Sequence, residues 1–205
     1  MLGPLMHRQR AFTLVELMVV VAVLAVIAVM AAPSFYDLLL VQRLKSINAQ
    51  LVTDLQFGRA EAATRNALLR YSFRSGDGLS CYSLYVTKTV DDVAANATDN
   101  RCDCTLGAGA ACPDSTGMWE VRTVQVPQSL SVALSIPAGQ TSEMAFDPIT
   151  GGLMAIPPDN PTTPINRFRI MATIDTARAL RTTVTRAGRP SVCIPTGSTL
   201  AGVAC

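Results

Sequence analysis

From Leu17 to Ala32 the chain runs through 16 consecutive apolar residues, and reaching back to Phe12 makes 21 with only Thr13 and Glu16 polar. As a helix, such a stretch rises about 31 Å, the thickness of a bilayer's hydrocarbon core. The run predicts a membrane-spanning helix over 12–32, preceded by a short segment, 1–11, that carries His7, Arg8 and Arg10. Those cations keep the N-terminal end in the cytoplasm and send the rest outward. A carboxylate inside a membrane segment is costly, so Glu16 marks a function and calls for a partner. The alternative is an ordinary cleaved signal ending at Ala31-Ala32-Pro33, which leaves Glu16 without a purpose.

Six cysteines (Cys81, Cys102, Cys104, Cys112, Cys193, Cys205) all follow the apolar run, an even number in an oxidising compartment. Spacing alone does not fix their connectivity. The reading favours Cys193 with Cys205, closing the C-terminal segment, and Cys81 joined to the Cys102–Cys112 loop. Zinc at Cys102-x-Cys104…Cys112 is disfavoured against disulfides, and Asp91-Asp92 reads as solvated loop acids rather than a calcium site. No metal and no cofactor is expected. The only histidine, His7, precedes the apolar run, so the outward part has no Ser-His-Asp, Cys-His or histidine-metal chemistry. The chain does not read as an enzyme. Charge is uneven: residues 75–160 hold ten acids against Lys88, Arg101 and Arg122, whereas 165–205 hold six arginines against Asp175.

Pro33 falls where it kinks a helix without ending its pattern. Beyond it Leu40, Leu44, Ile47, Leu51, Leu55, Gly58 and Ala62 recur at three- and four-residue steps, one stripe of an amphipathic helix over 33–66. Glu61 and Arg65 form an i,i+4 pair on its solvent face. After Asn66 the period becomes two: Leu69, Tyr71 and Phe73 alternate with Arg70, Ser72 and Arg74 up to a turn at Ser75-Gly76-Asp77-Gly78. Strand-like runs follow at 80–86, 119–126, 129–136, 142–146, 152–156, 166–174, 179–186 and 190–194. Asp147 to Gly152 reads as a hairpin connection, Pro157 to Pro164 as an exposed loop and 87–118 as a long disulfide-tethered loop. The fold class is α+β: a long N-terminal helix, its first half transmembrane, packed on antiparallel, sandwich-like β-sheets that fill 67–205.

Arg10-Ala11-Phe12-Thr13-Leu14-Val15-Glu16-Leu17 with the following apolar run resembles a type IV prepilin signal, and Pro33 also matches the pilin pattern. Leu55-Gln56-Phe57-Gly58-Arg59-Ala60-Glu61-Ala62, Phe146-Asp147-Pro148 with Gly151-Gly152, and Gly188-Arg189 are similar to landmarks of the GspH/FimT family of minor pilins and pseudopilins. Ala11 departs from the glycine usual before the cut. The resemblance implies that prepilin peptidase removes the leader between Ala11 and Phe12 and methylates the new amine of Phe12. It implies a single-pass protein of the bacterial inner membrane with a periplasmic C-terminal domain. Its partners would be other minor and major pilins or pseudopilins in a helical filament and the inner-membrane assembly platform. The role expected is a minor type IV pilin that helps start or cap a pilus. The alternative is a minor pseudopilin of a type II secretion system.

Glu16, fifth after the cut, would then meet the amine of a neighbouring subunit, each relieving the other's burial cost and setting register. Some FimT-type pilins bind DNA through a C-terminal Gly-Arg-x-Arg motif. The corresponding residues are Gly188-Arg189-Pro190-Ser191, with Ser191 in place of the second arginine. Arg181 and Arg186, extended by Arg178, add cations to a candidate DNA-binding face.

Overall fold

The computed structural model describes residues 13–87, 102–112, 117–155 and 163–205. The chain divides into two compact units, Met1–Leu39 and Leu40–Cys205. Helix α1 (Leu14–Arg65) contributes residues to both, and the side chain of Pro33 lies outside the described residues. Thr13 caps its start, the Glu16 N–H donating to Thr13 Oγ1 at 3.2 Å. Asn66, at φ 49°, closes its end in the left-handed region. There the Ala67 N–H reaches the Ala62 carbonyl at 3.2 Å and the Asn66 N–H reaches Ala63 at 3.3 Å, a Schellman arrangement.

In the first unit every described side chain from Thr13 to Met30 is exposed, including Leu14, Val15, Leu17 and Met18. Among the described residues no single helix is long and apolar enough to cross a membrane. Leu14–Met30 and Phe35–Arg65 meet that test as a pair.

The second unit sets the rest of α1 against two antiparallel sheets. The first has the order β3-β2-β1-β5-β6-β7, built from β1 (Leu69–Gly76), β2 (Leu79–Thr87), β3 (Met118–Pro127), β5 (Glu143–Phe146), β6 (Leu153–Ala155) and β7 (Thr163–Pro164). The second has the order β10-β9-β8-β4, from β4 (Ala133–Ser135), β8 (Arg167–Thr173), β9 (Ala179–Thr185) and β10 (Pro190–Cys193). Asp77 and Gly78, at φ 49° and 76°, make the tight β1–β2 turn, whose twist matches that of paired strands.

Alternation then sorts the side chains. Leu69, Tyr71 and Phe73 of β1 and Tyr82 and Leu84 of β2 meet Leu44, Leu51, Leu55 and Ala62 of the helix in one buried cluster. Phe168, Ile170 and Ala172 of β8 and Val184 of β9 close it from the second sheet. The Phe73 and Phe168 rings, 5.7 Å apart, stack across the two sheets.

Two expectations are corrected. The run 129–136 is not one strand, because Gln128–Leu130 forms a 3-10 turn and Ser131 turns left-handed at φ 57°, leaving only β4 extended. The Pro157 to Pro164 segment is not wholly loop: Thr163–Pro164 pairs with β6, while 156–162 lie outside the described residues. The helix stripe is buried at Leu40, Leu44, Leu51, Leu55 and Ala62, and Asn48 and Asp54 are buried beside it at 3% and 1% exposure.

Within the segment read as a tethered loop, residues 88–101 and 113–116 lie outside the described residues, and 102–112 fold back on the outer face of the first sheet. Disulfides join Cys81 to Cys104, Cys102 to Cys112 and Cys193 to Cys205. The β3 side chains hold the loop from beside. Glu120 accepts the Gly109 and Ala111 N–H groups at 2.9 and 3.1 Å, and Gln125 donates to the Cys104 and Thr105 carbonyls at 2.8 and 3.0 Å. The Ser72 hydroxyl donates to the Cys102 carbonyl at 2.8 Å. That cover buries Ser72 on a face a two-period strand would otherwise leave to water.

Candidate functional site

Two polar clusters bind the helix to the sheets. At the first, the Tyr82 hydroxyl donates to Asp54 Oδ2 at 2.6 Å and the Tyr71 hydroxyl donates to the Asp54 backbone carbonyl at 2.6 Å. Arg122, reaching over from β3, brings Nη1 to 2.8 Å from Asp54 Oδ1. Burial first, and the Asp54 charge with it, raises both phenols well above the usual 10.0, so they remain donors through the physiological range. Gly58 makes room for this. A Cβ there would overlap the Tyr71 hydroxyl and stand 2.8 Å from its Cζ. On the other sheet the Thr182 hydroxyl donates to Asn48 Oδ1 at 2.8 Å.

At the second cluster, three separate stretches of sequence converge. The β5–β6 turn is closed by the Asp147 N–H on the Gly152 carbonyl at 2.9 Å and the Gly151 N–H on the Asp147 carbonyl at 2.8 Å. Asp147 Oδ1 accepts the Ile149 N–H at 2.9 Å, the chief cause of a carboxyl pKa held below the usual 3.8. The Gly151 carbonyl so presented accepts Arg59 Nε from the helix at 3.1 Å. Gly188, in the β9–β10 turn at φ 72°, packs against both; a Cβ on it would overlap the Gly151 carbonyl and stand 3.2 Å from Arg59 Cδ. Side chains larger than hydrogen at 151 and 188 would break the junction.

The named site residues distribute as follows. Ala11 and Phe12 lie outside the described residues. Glu16 sits exposed in the first turn of α1, where a carboxylate also suits the helix dipole. Arg186 and Arg189 are exposed at the β9–β10 turn, and Gly188 is buried beneath them. Arg181 is not with them. Pairing of β8 with β9 sets it opposite Met171, on the face that carries Arg167, Arg169, Thr183 and Thr185. That outer face holds three arginines and no acid on β8 and β9. Arg178 is bound to Asp175, with Nη2 at 2.6 Å.

Sequence reasoning passed over Asn48, Asp54 and Arg122. The signal was present for two of them: Asp54 is three residues after Leu51 and four before Gly58, and Asn48 four after Leu44, both stripe positions. Arg122 carried no local signal.

A long apolar-first helix whose later part packs on a sandwich-like pair of antiparallel sheets, with disulfides in that same unit, defines the type IV pilin class. Residues 6–32 match the prokaryotic N-terminal methylation motif, and residues 48–188 match the type II transport protein GspH. The second match spans well over half of the chain, which belongs to the GspH family, the GspH/FimT-like type IV pilins and pseudopilins. No curated protein and no solved structure matches it.

Proposed function

We propose that the protein is a minor type IV pilin, a membrane-anchored subunit that helps initiate or cap a pilus through protein–protein assembly. Prepilin peptidase would cut between Ala11 and Phe12 and methylate Phe12. Helix 12–32 would hold the subunit in the inner membrane until it enters the filament, with the domain 67–205 outside and choosing neighbours. The observation that carries this reading is the succession of the methylation motif, an apolar helix with every described side chain exposed, and one folded unit matching the GspH family. An exposed apolar helix of this kind needs lipid or other helices around it. Glu16 would pair there with the amine of a neighbour.

A second reading, a minor pseudopilin of a type II secretion system, is favoured by the description of the matched family as a type II transport protein. A third, DNA capture during natural transformation, draws support from the arginines at the β9–β10 turn and on the outer face of the second sheet.

Deleting the gene and counting surface pili alongside secreted protein, with a complemented strain as control, separates the first two. Lost pili with normal secretion supports the pilus; lost secretion with normal pili supports the pseudopilus. Neither loss would overturn both.

A further inference from the structure

Helix α1, the β5–β6 turn and the β9–β10 turn line an open groove of about 620 Å³. Its helix side carries Gln56, Arg59, Ala60 and Ala63, and beside the two alanines stands Ile149, 87% exposed. Arg59 and Arg189 both line the groove, and no acid does. Asp147, the acid of the neighbouring turn, has its Oδ1 on the Ile149 N–H and its Oδ2 on the Thr150 hydroxyl. Among the described residues no carboxylate pairs with Arg59 or Arg189.

Arg59 is set in place before any partner arrives. Its Nε is held by the Gly151 carbonyl, and a Cβ on Gly151 would stand 2.8 Å from that nitrogen. A guanidinium fixed in this way offers its remaining N–H groups as a planar fork, the shape that a carboxylate fits.

We propose that the groove docks an acidic segment of a neighbouring filament subunit, its carboxylate on Arg59 and Arg189 and its flanking apolar side chains on Ala60, Ala63 and Ile149. The proposal rests on the filament-subunit reading. Two cations in one groove, with Ala60, Ala63 and Ile149 beside them, suit one carboxylate and its apolar neighbours, whereas a phosphate backbone calls for a longer run of cations.

The test places photoreactive benzoylphenylalanine at Ile149 of the full-length protein in cells that assemble the filament. The expected product is an adduct with a filament subunit whose cross-linked peptide carries Asp or Glu. Arg189→Glu, with an unfolding midpoint equal to wild type, should lower adduct yield about tenfold, and changing the partner's acid to Arg should restore it. Arg59→Lys, which keeps the charge and loses the fork, should lower the yield less. A nucleic-acid adduct, a peptide without an acid, or a yield indifferent to Arg189→Glu overturns the proposal. Absence of any adduct from protein that still co-purifies with filaments overturns the groove alone. Protein that never co-purifies with filaments overturns the subunit reading and the groove together.

Discussion

Gly58 of the helix lies directly against the phenol of Tyr71, so that the Tyr71 hydroxyl reaches past it to the Asp54 carbonyl at 2.6 Å. Helix and sheet approach here at the distance only a hydrogen permits. Gly58→Ala should therefore destabilise the protein by about 1–3 kcal/mol, although alanine favours helix, because the added methyl overpacks the contact. Tyr71→Phe in the same chain should return part of the loss. Urea unfolding of the full chain in detergent measures both. An unchanged midpoint for Gly58→Ala would contradict the close approach.

Asp54 serves Tyr82 and Arg122 with one carboxylate. Asp54→Ala strands the buried Tyr82 hydroxyl and should cost about 1–3 kcal/mol. Asp54→Asn keeps an acceptor for Tyr82 and should cost less. Arg122→Ala, although that side chain is 46% exposed, leaves the carboxylate of Asp54 buried without its cation and should cost more than Asp54→Asn. The order of the three unfolding midpoints is the observable.

The bond between Cys81 and Cys104 closes a separation of 23 residues and fastens the loop to β2, while that between Cys193 and Cys205 closes 12. Changing Cys81 and Cys104 together to Ser should cost about 3 kcal/mol and free the 102–112 cover. Changing Cys193 and Cys205 should cost less, because the closed loop is shorter and Cys205 is exposed. Thermal unfolding ranks the two, and faster proteolysis within the loop should accompany only the first.

Asp147 gives a pH signature. Its folded pKa is depressed, so its contribution is full above the unfolded value near 3.8 and is lost as pH falls through the lower folded value. The stability difference between wild type and Asp147→Ala should be constant from pH 5 to 7 and shrink below about pH 4. A difference that grows on acidification would reverse the assignment.

Glu16→Ala should be processed normally and fail to enter filaments. Intact mass of the membrane-extracted protein reads the first outcome, and its presence in sheared filaments reads the second. Normal incorporation would sink the register role of Glu16.

Local pattern carried much of this fold. The three- and four-residue steps from Leu40 to Ala62 and the alternation of Leu69, Tyr71 and Phe73 with Arg70, Ser72 and Arg74 each name a buried face without any knowledge of the partner. Polar burial was the harder part. Asp54 and Asn48 stand at stripe positions, but only Tyr82 and Thr182, 28 and 134 residues away, show why a polar group is tolerated there. Ser72 looked solvent-facing because its cover comes from residue 102, thirty positions on. The junction of Arg59 with Gly151 and Gly188 was visible as three separate family landmarks. Their meeting depends on a contact spanning 92 residues that no local period encodes.

The loop clasped over the first sheet has one more consequence. Subunits that share a filament must present interchangeable helices, so what distinguishes one from another has to be written elsewhere. Here a segment fixed by two disulfides and the side chains of Glu120 and Gln125 shields the strands beneath it and turns Leu106, 60% exposed, outward. Leu106 faces away from the buried cluster that holds Tyr71, Phe73 and the helix. As the filament subunit proposed above, the protein would keep the part that fits every neighbour apart from a part that one partner could recognise.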